Sequence, residues 1–475
     1  MLRLFLFLLC FLSFSGKLLP QAGNLKSCLS KTKLVVELYN NNQRPQIYQL
    51  LDSALQSGFD RNAFLTYLQD SLYRRYGKIE RYEHLYQTDR YQSFLLEFEK
   101  NKKEFRIALN ATDQISLFQF LSYQEMPAQK KPGAASNNQL RNGLDSLIEN
   151  LCKEYMSLPQ TCAISIGILR DGKRTYYNYG ENSRGSAQLP DQHSIYEAGS
   201  ITKTFTGLLL AQAIVEKKVK PEDDIRAYLP GRYPNLAYGN TPITLLHLAN
   251  HSSGLPRIPA NLFAQENFDT LNPYKNYSEK MLYQDLRLQV IDQAPGSTSN
   301  YSNYGMAVLG KILEKVYKKS YSELVQEKIL NTLNMKNSCI DLTPELQKKL
   351  VPGYSASGSE TKHWDLGVFQ PAGALHTGTE DMLNFLEYQL FEPDSACKLS
   401  HEPSFEKNEK IALAWQIRTG KSTGNLYWHN GATYGFSSFC GFIPDAKAAL
   451  VILGNASAST DYLAIQILRY LSNLQ

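Results

Sequence analysis

The stretch YEAGSITKTFTGLLLAQAI, residues 196–214, places a hydroxyl and an amine one turn apart at the start of an apolar segment with helical periodicity. Ser200 and Lys203 are three residues apart, so a helix carries both side chains on one face. Two interpretations are possible. In the first, Ser200 caps the helix by accepting hydrogen bonds from its first backbone N–H groups, and Lys203 lies in solvent. In the second, Lys203 holds or removes the proton of a nucleophilic Ser200.

The spacing S-x-x-K alone does not decide between them, because the context of each serine differs. The same spacing occurs at Ser30, Ser359, Ser395 and Ser404, but only Ser200 opens a long apolar helix. A buried helix start presents backbone N–H groups and the positive end of the helix dipole to negative charge that develops on the serine. The context therefore favours Ser200 as the nucleophile.

A second polar cluster lies in APGSTSNYSNYGMAVLGKILEKV, residues 294–316, just before another helical pattern. Ser302 or Asn303 in this place can cap the helix, with Tyr301 as a packing residue. In a chemical interpretation, an ammonium lowers the pKa of a neighbouring phenol, so Tyr301 near Lys203 would accept the serine proton and return it to the leaving group. Asn303 would position Lys203 and the substrate carbonyl.

Two H-x-G elements lie in different surroundings. After His376-Thr377-Gly378 comes a helical pattern, so Thr377 or Thr379 is predicted to cap a helix. After His429-Asn430-Gly431 comes a strand, and a glycine there lets a ligand approach the backbone closely.

The second element supplies a strand edge of the kind that a serine hydrolase needs. The backbone N–H groups of Ala432 and Ser200 would form an oxyanion hole beside Gly431. His429 would then face the substrate rather than act as the base.

In this order, Ser200-x-x-Lys203, Tyr301-Ser302-Asn303 and His429-Asn430-Gly431 resemble the motifs of the class C β-lactamase and D-alanyl-D-alanine carboxypeptidase superfamily of penicillin-recognising serine hydrolases. Further similar segments extend the resemblance over most of residues 140–475. They are KKVKPEDDIRAYLP (217–230), ITLLHLANHSSGLP (243–256), PGSTSNYSNYG (295–305) and PAGALHTGTEDM (371–382).

The resemblance implies an α/β (α+β) fold, an α/β/α sandwich with an antiparallel sheet, an all-helical subdomain and a cleft between them. It also implies acylation of Ser200, a proton shuttle of Lys203 and Tyr301, and release of the acyl group by water. The residues implied in substrate binding are Asn303, His429, Gly431 and Ala432. His247 and His251 are expected to pack near the cleft.

The third motif departs from the Lys-Thr-Gly of many β-lactamases, whose cation helps to bind a substrate carboxylate. Here the position resembles His429-Asn430-Gly431, and Lys421-Ser422-Thr423-Gly424 only mimics the missing motif from a polar turn. The favoured function is a serine hydrolase of an amide or ester, such as a D-Ala-D-Ala-type carboxypeptidase, a D-aminopeptidase or an esterase, with peptidoglycan-derived peptides ahead of small esters. The alternatives are a true class C-type β-lactamase and a penicillin-binding sensor or non-catalytic binding protein.

The amino terminus, MLRLFLFLLCFLSFSG (residues 1–16), predicts an export signal, because it has one early arginine and an apolar run too short to span a bilayer. A lipoprotein signal at Cys10 ranks second, since Leu9 is not the small residue that such processing prefers, and an uncleaved anchor ranks third. We therefore expect a periplasmic or extracellular protein with no integral membrane span once the signal is removed.

Residues 27–125 predict a small α+β accessory domain. Helical periodicity near Ile47–Leu55 and Phe64–Tyr76 precedes three alternating strand patterns, in RYQSFLLEFEK, EFRIALN and ISLFQFLSY. The order resembles cystatin-like modules, in which helices pack on a curved sheet. A polar stretch, residues 126–139, predicts a linker to the hydrolase domain at 140–475.

Within residues 140–475, strand patterns occur at both ends. A hairpin is predicted at Asp171-Gly172, and two further strands flank Pro444-Asp445. We expect the first and last strands to pair in one antiparallel sheet, with the helical sequence between them.

Composition limits the functional classes. The 475 residues are 43% hydrophobic and carry a formal charge of +5 without a Lys/Arg block, which gives no reason to expect a nucleic-acid partner. The sequence contains no H-E-x-x-H motif, no C-x-x-C pair and no cluster of His and Cys, so we expect no metal site. No cofactor is expected either. Cys152 and Cys162 are close enough to pair, although buried free thiols are expected for most of the cysteines.

Overall fold

The computed structural model describes residues 25–58, 61–87, 91–123, 134–269, 271–420 and 424–472. The chain forms two compact units, one within residues 1–128 and the other within residues 129–475. The predicted export signal, the first eight residues of the predicted linker (126–133) and the Lys421-Ser422-Thr423 part of the polar turn lie outside the described residues. Within the described residues, no helix combines the length and apolar character needed to cross a bilayer.

The first unit consists of helices followed by an antiparallel sheet. Its helices are Leu25–Asn40, Arg44–Gln49, Ser53–Gly58, Arg61–Thr66 and Arg74–Tyr76, with a π-helical segment at Tyr67–Tyr73. Its described strands, in their order across the sheet, are Ile79–Gln87, Gln92–Phe98, Asn101–Leu109 and Ile115–Ser122.

This arrangement confirms the α+β prediction for the first unit but contains two elements that the sequence did not reveal. The helix Leu25–Asn40 and the strand Ile79–Gln87 were both missed. The strand reads IERYEHLYQ and has no apolar alternation, so no period-2 signal marks it. The resemblance to cystatin-like modules stays a prediction.

A central antiparallel sheet organises the second unit. Its described strands, in order across the sheet, are Phe405–Glu406, Lys410–Ile411, Gln416–Gly420, Gly424–Ala432, Ser437–Ile443, Ala448–Gly454, Ala163–Arg170 and Lys173–Gly180. The last strand of this unit, Ala448–Gly454, pairs with its first strand, Ala163–Arg170, which confirms the predicted pairing of the two ends. At the Asp171-Gly172 turn both φ angles are positive, 49° and 76°, as a tight hairpin requires.

Helices cover both faces of this sheet. On one face, Ile164, Ile166 and Ile168 pack against the helices Gly143–Ser157 and Asp461–Leu471. On the other face, Leu169 and Val451 pack towards the helix Thr379–Phe391 and the helical part of the unit. The strands are therefore buried on both sides, and the predicted α/β/α sandwich is confirmed.

The sequence between the strands Lys173–Gly180 and Phe405–Glu406 is mainly helical. Its α-helices are Thr202–Val215, Leu245–Ala249, Glu279–Leu286, Asn303–Tyr317, Tyr321–Val325, Pro344–Gln347, Gln370–Gly373, Thr379–Phe391 and Ser395–His401, with a π-helical segment at Gln326–Leu330. Short 3₁₀ turns lie at Gly199–Ile201, Ile225–Ala227, Ala260–Ala264 and Gly367–Phe369, and another comes after the sheet strand Ser437–Ile443, at Pro444–Ala446. Short strand pairs join Tyr196–Glu197 to His376–Thr377, Ala237–Tyr238 to Thr241–Pro242, and Gly353–Tyr354 to Glu360–Thr361.

The helix Thr202–Val215 lies in the middle of the core and is buried on every side along its first three turns. Phe205 stacks on Phe385 with ring centres 4.0 Å apart. A Cβ on Gly207 would lie 2.2 Å from the Leu413 carbonyl oxygen, so only glycine permits this approach of the helix to the neighbouring chain. The sequence predicted helical periodicity for this segment, but the helix has no solvent face near its start.

One local prediction, the helix cap at Thr377 or Thr379, was wrong. The helix Thr379–Phe391 begins after Gly378, which has no side-chain cap, and neither Thr377 nor Thr379 caps it. A Cβ on residue 378 would lie 2.8 Å from the Gln192 carbonyl oxygen, so the tight backbone packing requires glycine there. Cys152 is a buried free thiol, which is the state expected for most of the cysteines, and the pairing that its sequence spacing allows is not formed.

Candidate active site

Ser200 lies in a 3₁₀ turn, Gly199–Ile201, directly before the central helix Thr202–Val215. The N-cap position of that helix is Ile201, and no side chain caps it, so the interpretation of Ser200 as a helix cap was wrong. Gly199 has φ +53°, and a Cβ on it would lie 2.8 Å from the backbone nitrogen of Ala432. The turn is thus held tightly against the end of the strand Gly424–Ala432.

Lys203 is fully buried, although it carries an amine. Its Nζ donates hydrogen bonds to Ser200 Oγ at 2.9 Å and to the Ala372 carbonyl at 2.5 Å. Burial, helped by the charge of Arg257, lowers the pKa of Lys203 well below its usual value. A neutral amine has two N–H groups and one lone pair, so it can keep one N–H on the Ala372 carbonyl and, by rotating about its terminal C–N bond, turn the lone pair towards Ser200 Oγ to receive the serine proton.

Tyr301 lies beside both of these side chains. Its ring centre is 4.8 Å from Lys203 Nζ, and the Ser200 side chain is among the neighbouring groups that lower the pKa of its phenol. The next residue, Ser302, caps the helix Asn303–Tyr317 by accepting a hydrogen bond from the Gly305 N–H at 2.8 Å. The capping interpretation of Ser302 is therefore confirmed, and the cap fixes the backbone next to Tyr301.

The electrostatic expectation for Tyr301 was wrong in sign. Burial raises the pKa of Tyr301 to about 12, although the Arg257 charge and the Ser200 hydrogen bond lower it. The expectation assumed a permanently charged ammonium at Lys203, but burial favours the neutral amine there. The raised pKa favours the protonated phenol at neutral pH, which suits Tyr301 to donate a proton.

Asn303 lies at the start of the helix Asn303–Tyr317 but does not bind Lys203. Its Nδ2 donates to Tyr274 Oη at 3.5 Å, and its buried Oδ1 has no hydrogen-bond partner among the described residues. The predicted contact with Lys203 is not formed, because the Ala372 carbonyl holds that amine instead.

His429 belongs to the strand Gly424–Ala432 and is only 2% exposed. Its Nδ1 donates to the backbone carbonyl of Asn430 at 2.6 Å, which leaves Nε2 as an acceptor. Burial, with a smaller effect of Lys203, lowers the pKa of His429 to about 3, so the ring is neutral. The ring centre lies 6.2 Å from that of Tyr301, which places His429 beside the tyrosine, while its contact with a substrate stays a prediction.

Gly431 admits neighbouring backbone rather than a ligand. A Cβ at this position would lie 2.0 Å from the Ala198 carbonyl oxygen and 2.9 Å from the Ser200 backbone nitrogen. The missing side chain therefore lets the strand meet the turn that carries Ser200. This packing brings Ala432 next to Ser200, which is the arrangement that an oxyanion hole requires.

We expect Gly431→Ala to slow acylation of Ser200 by about 10²-fold or more, because the new methyl group displaces backbone N–H groups on which the oxyanion depends. The measurement is the rate of ester hydrolysis, with the melting temperature recorded for each variant. Gly305→Ala is the matched control, since a Cβ there has its nearest neighbour at 3.4 Å. Equal activity of Gly431→Ala and wild type would remove this edge from the site.

Two further residues contact Tyr301 and had no catalytic prediction. The buried ring of His251 lies 4.6 Å from the Tyr301 ring, centre to centre, and its Nδ1 accepts from the Ser302 N–H at 3.3 Å. The Arg257 guanidinium lies 4.8 Å from the centre of the same ring. His251 has the packing role expected of it. Arg257 comes directly after the HSSGLP segment, and this position is the only feature of the sequence that could have placed it near the site.

Comparison with known proteins identifies the family of the chain. The family described as Beta-lactamase matches residues 148–472. The chain belongs to the Beta-lactamase family. This membership confirms the resemblance that the ordered motifs indicated. A relative named Beta-lactamase from Providencia stuartii is 24% identical to this family member over 353 residues, covering 65% of this chain and 86% of the relative.

Solved structures show the same fold as this Beta-lactamase family member. A class C beta-lactamase superposes with a TM-score of 0.61 at 20% identity, covering 70% of this chain and 96% of the other. A protein described as a Beta-Lactamase/D-Alanine Carboxypeptidase from Pseudomonas syringae gives a TM-score of 0.60 at 19% identity, covering 70% and 99%. At these identities the likeness establishes the fold alone.

Proposed function

We propose that the protein is a serine hydrolase that forms an acyl-enzyme on Ser200 and cleaves an amide or an ester. One observation carries the proposal: the fully buried amine of Lys203 lies 2.9 Å from Ser200 Oγ. A buried lysine with a lowered pKa beside a hydroxyl is the arrangement that activates a serine nucleophile.

The reaction can be written from the residues around that pair. The Lys203 lone pair takes the Ser200 proton as Oγ attacks the acyl carbon, and the backbone N–H groups of Ser200 and Ala432 receive the oxyanion. The tetrahedral intermediate then collapses and expels the leaving group. The Tyr301 phenol donates its proton to that group and regains one from the Lys203 ammonium. Water attacks the ester on Ser200 and releases the acid, with the proton returned to the serine.

The acyl donor lies within the range set by the sequence. We infer a D-Ala-D-Ala-type carboxypeptidase, a D-aminopeptidase or an esterase, with a peptidoglycan-derived peptide ahead of a small ester. Export to the periplasm or the extracellular space is inferred from residues 1–16. A second candidate, a true β-lactamase, is favoured by the name of the Providencia stuartii relative.

Labelling with a fluorophosphonate tests the nucleophile. We expect one adduct, located at Ser200 by mass spectrometry, and no adduct in Ser200→Ala. Ser395→Ala is the matched control, because Ser395 has the same spacing to a lysine but is an exposed residue of another helix. Equal cleavage of a p-nitrophenyl ester by wild type and Ser200→Ala would contradict the hydrolase proposal.

Incubation with penicillin and with nitrocefin separates the remaining alternatives. A stable penicilloyl adduct without ester or peptide turnover would indicate a sensor and overturn the hydrolase. Turnover of nitrocefin that depends on Ser200 would instead indicate the β-lactamase.

A further inference from the structure

Arg257 combines exposure with a fixed position beside the nucleophile. Its side chain is exposed, and its guanidinium lies 4.8 Å from the centre of the Tyr301 ring. Its backbone carbonyl accepts hydrogen bonds from the N–H groups of Asn303 and Tyr304, at 3.0 and 3.2 Å. The start of the helix Asn303–Tyr317 thus anchors the backbone, and the charged end lies where a bound substrate can meet it.

The guanidinium has no acidic partner within the described part of the chain. Other arginines of the same unit form ion pairs there, as Arg226 does with Asp224. Arg257 forms no such ion pair and no side-chain hydrogen bond among the described residues. Its planar fork of N–H donors is therefore available, and this geometry matches the two oxygens of a carboxylate.

Arg257 also supplies the positive charge that the neighbouring groups lack. Lys203 and His429 are buried, and burial lowers the pKa of each, so neither is a dependable cation. The third motif has histidine where many β-lactamases have a carboxylate-binding lysine. The Arg257 charge is near enough to lower the pKa values of Lys203, Tyr301 and Tyr274, although burial is the largest influence on each of them.

Resting on the proposed function, we propose that Arg257 binds a free carboxylate of the substrate close to the scissile bond. The preferred substrates are then acidic amides or esters. The carboxylate accepts two N–H groups of the guanidinium while the scissile carbonyl lies against Ser200. Arg257 is in this sense a specificity-determining residue, and the cation comes from the segment after HSSGLP instead of from the third motif.

A matched pair of thioesters tests the inference. Both carry the same acyl group. One releases mercaptoacetate, whose carboxylate is free, and the other releases mercaptoacetamide, so that only the charge differs. The released thiol is measured with a disulfide dye, which gives kcat/KM for each substrate.

We expect wild type to prefer the carboxylate, and Arg257→Gln to reduce that preference by about 10- to 100-fold, as the loss of a charged, bidentate hydrogen-bonded pair predicts. Arg257→Lys should restore part of the preference, because it returns the charge without the planar fork. Arg287→Gln is the matched control: that arginine also lies over a tyrosine ring, 5.1 Å from the centre of Tyr233, but away from Ser200. Its preference should equal that of wild type.

The outcomes separate this inference from the proposal on which it rests. If Arg257→Gln lowers kcat/KM equally for both thioesters, Arg257 is structural and the inference is overturned. A ratio that does not change also overturns it. The neutral fluorophosphonate reports on Ser200 independently. If wild type reacts with the fluorophosphonate but shows no preference for the carboxylate thioester, only the role of Arg257 is contradicted. If wild type does not react with the fluorophosphonate, the hydrolase proposal itself is contradicted.

Discussion

Replacing Lys203 by methionine is expected to slow acylation of Ser200 by about 10³- to 10⁴-fold, the scale on which a positioned general base acts. Methionine keeps the length and apolar stem of the lysine but has no proton acceptor of comparable strength. Because Lys203 is fully buried in the core, a side chain of similar volume leaves no cavity. The loss should therefore appear in the rate and not in the fold.

The measurement is the rate of fluorophosphonate labelling, together with the burst of p-nitrophenol from an activated ester. Urea unfolding of each variant shows whether the core is intact. Lys220→Met serves as the control, because Lys220 is exposed beyond the end of the same helix. A labelling rate of Lys203→Met equal to that of wild type would assign the base to another residue.

The pH dependence of acylation is set by the burial of the same amine. Protonated Lys203 cannot accept the serine proton, so acylation falls as the pH falls through the Lys203 pKa. Burial lowers that pKa well below the usual value of a lysine, and the acid limb of the profile should lie correspondingly far below it. The proposed base is then neutral over a pH range in which a surface lysine is charged.

The sequence predicted that Ser200, Lys203 and Tyr301 lie together, but not the contacts of Asn303 or the burial of the site. Ordered motifs brought Ser200, Lys203 and Tyr301 together correctly, and the apolar runs at the two ends of residues 140–475 predicted the closure of the sheet. The burial of Lys203 could not be predicted from the sequence, because it depends on residues that are distant in sequence, such as Ala372, whose carbonyl accepts its hydrogen bond. The burial of the Tyr301 phenol was equally invisible in the sequence, and it raises the pKa that was expected to fall.

Close backbone packing was also beyond the sequence. Gly431 predicted a place where a ligand approaches the strand, but the Ala198–Ser200 backbone approaches it instead. The periodicity that found the central helix gave no signal for the first strand of the accessory unit, Ile79–Gln87, because polar side chains occupy most of its positions. Hydrophobic periodicity in the sequence indicates an element that is buried on one face. It gives no correct signal for an element that is buried on every face or is mostly exposed.

Replacing Tyr301 by phenylalanine is expected to slow the cleavage of an amide by about 10²- to 10⁴-fold, the range for loss of a general acid. Burial raises the pKa of Tyr301 to about 12, so the phenol holds its proton at neutral pH and can deliver it to the departing nitrogen. An amine leaving group needs that proton far more than p-nitrophenolate does. The loss for a p-nitrophenyl ester should therefore be clearly smaller than the loss for an amide of the same acyl group.

Comparing the two substrates and the two pH profiles decides which residue is the base. With Lys203 as the base, Tyr301→Phe lowers the rate but keeps the acid limb where wild type has it. Equal losses for amide and ester, together with a displaced acid limb, would instead make the phenolate the base. Tyr304→Phe is the matched control, because the Tyr304 hydroxyl donates to the Leu282 carbonyl at 3.2 Å and not to Ser200. That variant should lose some stability, about 1 kcal/mol for one buried hydrogen bond, while its ratio of amide to ester cleavage stays that of wild type.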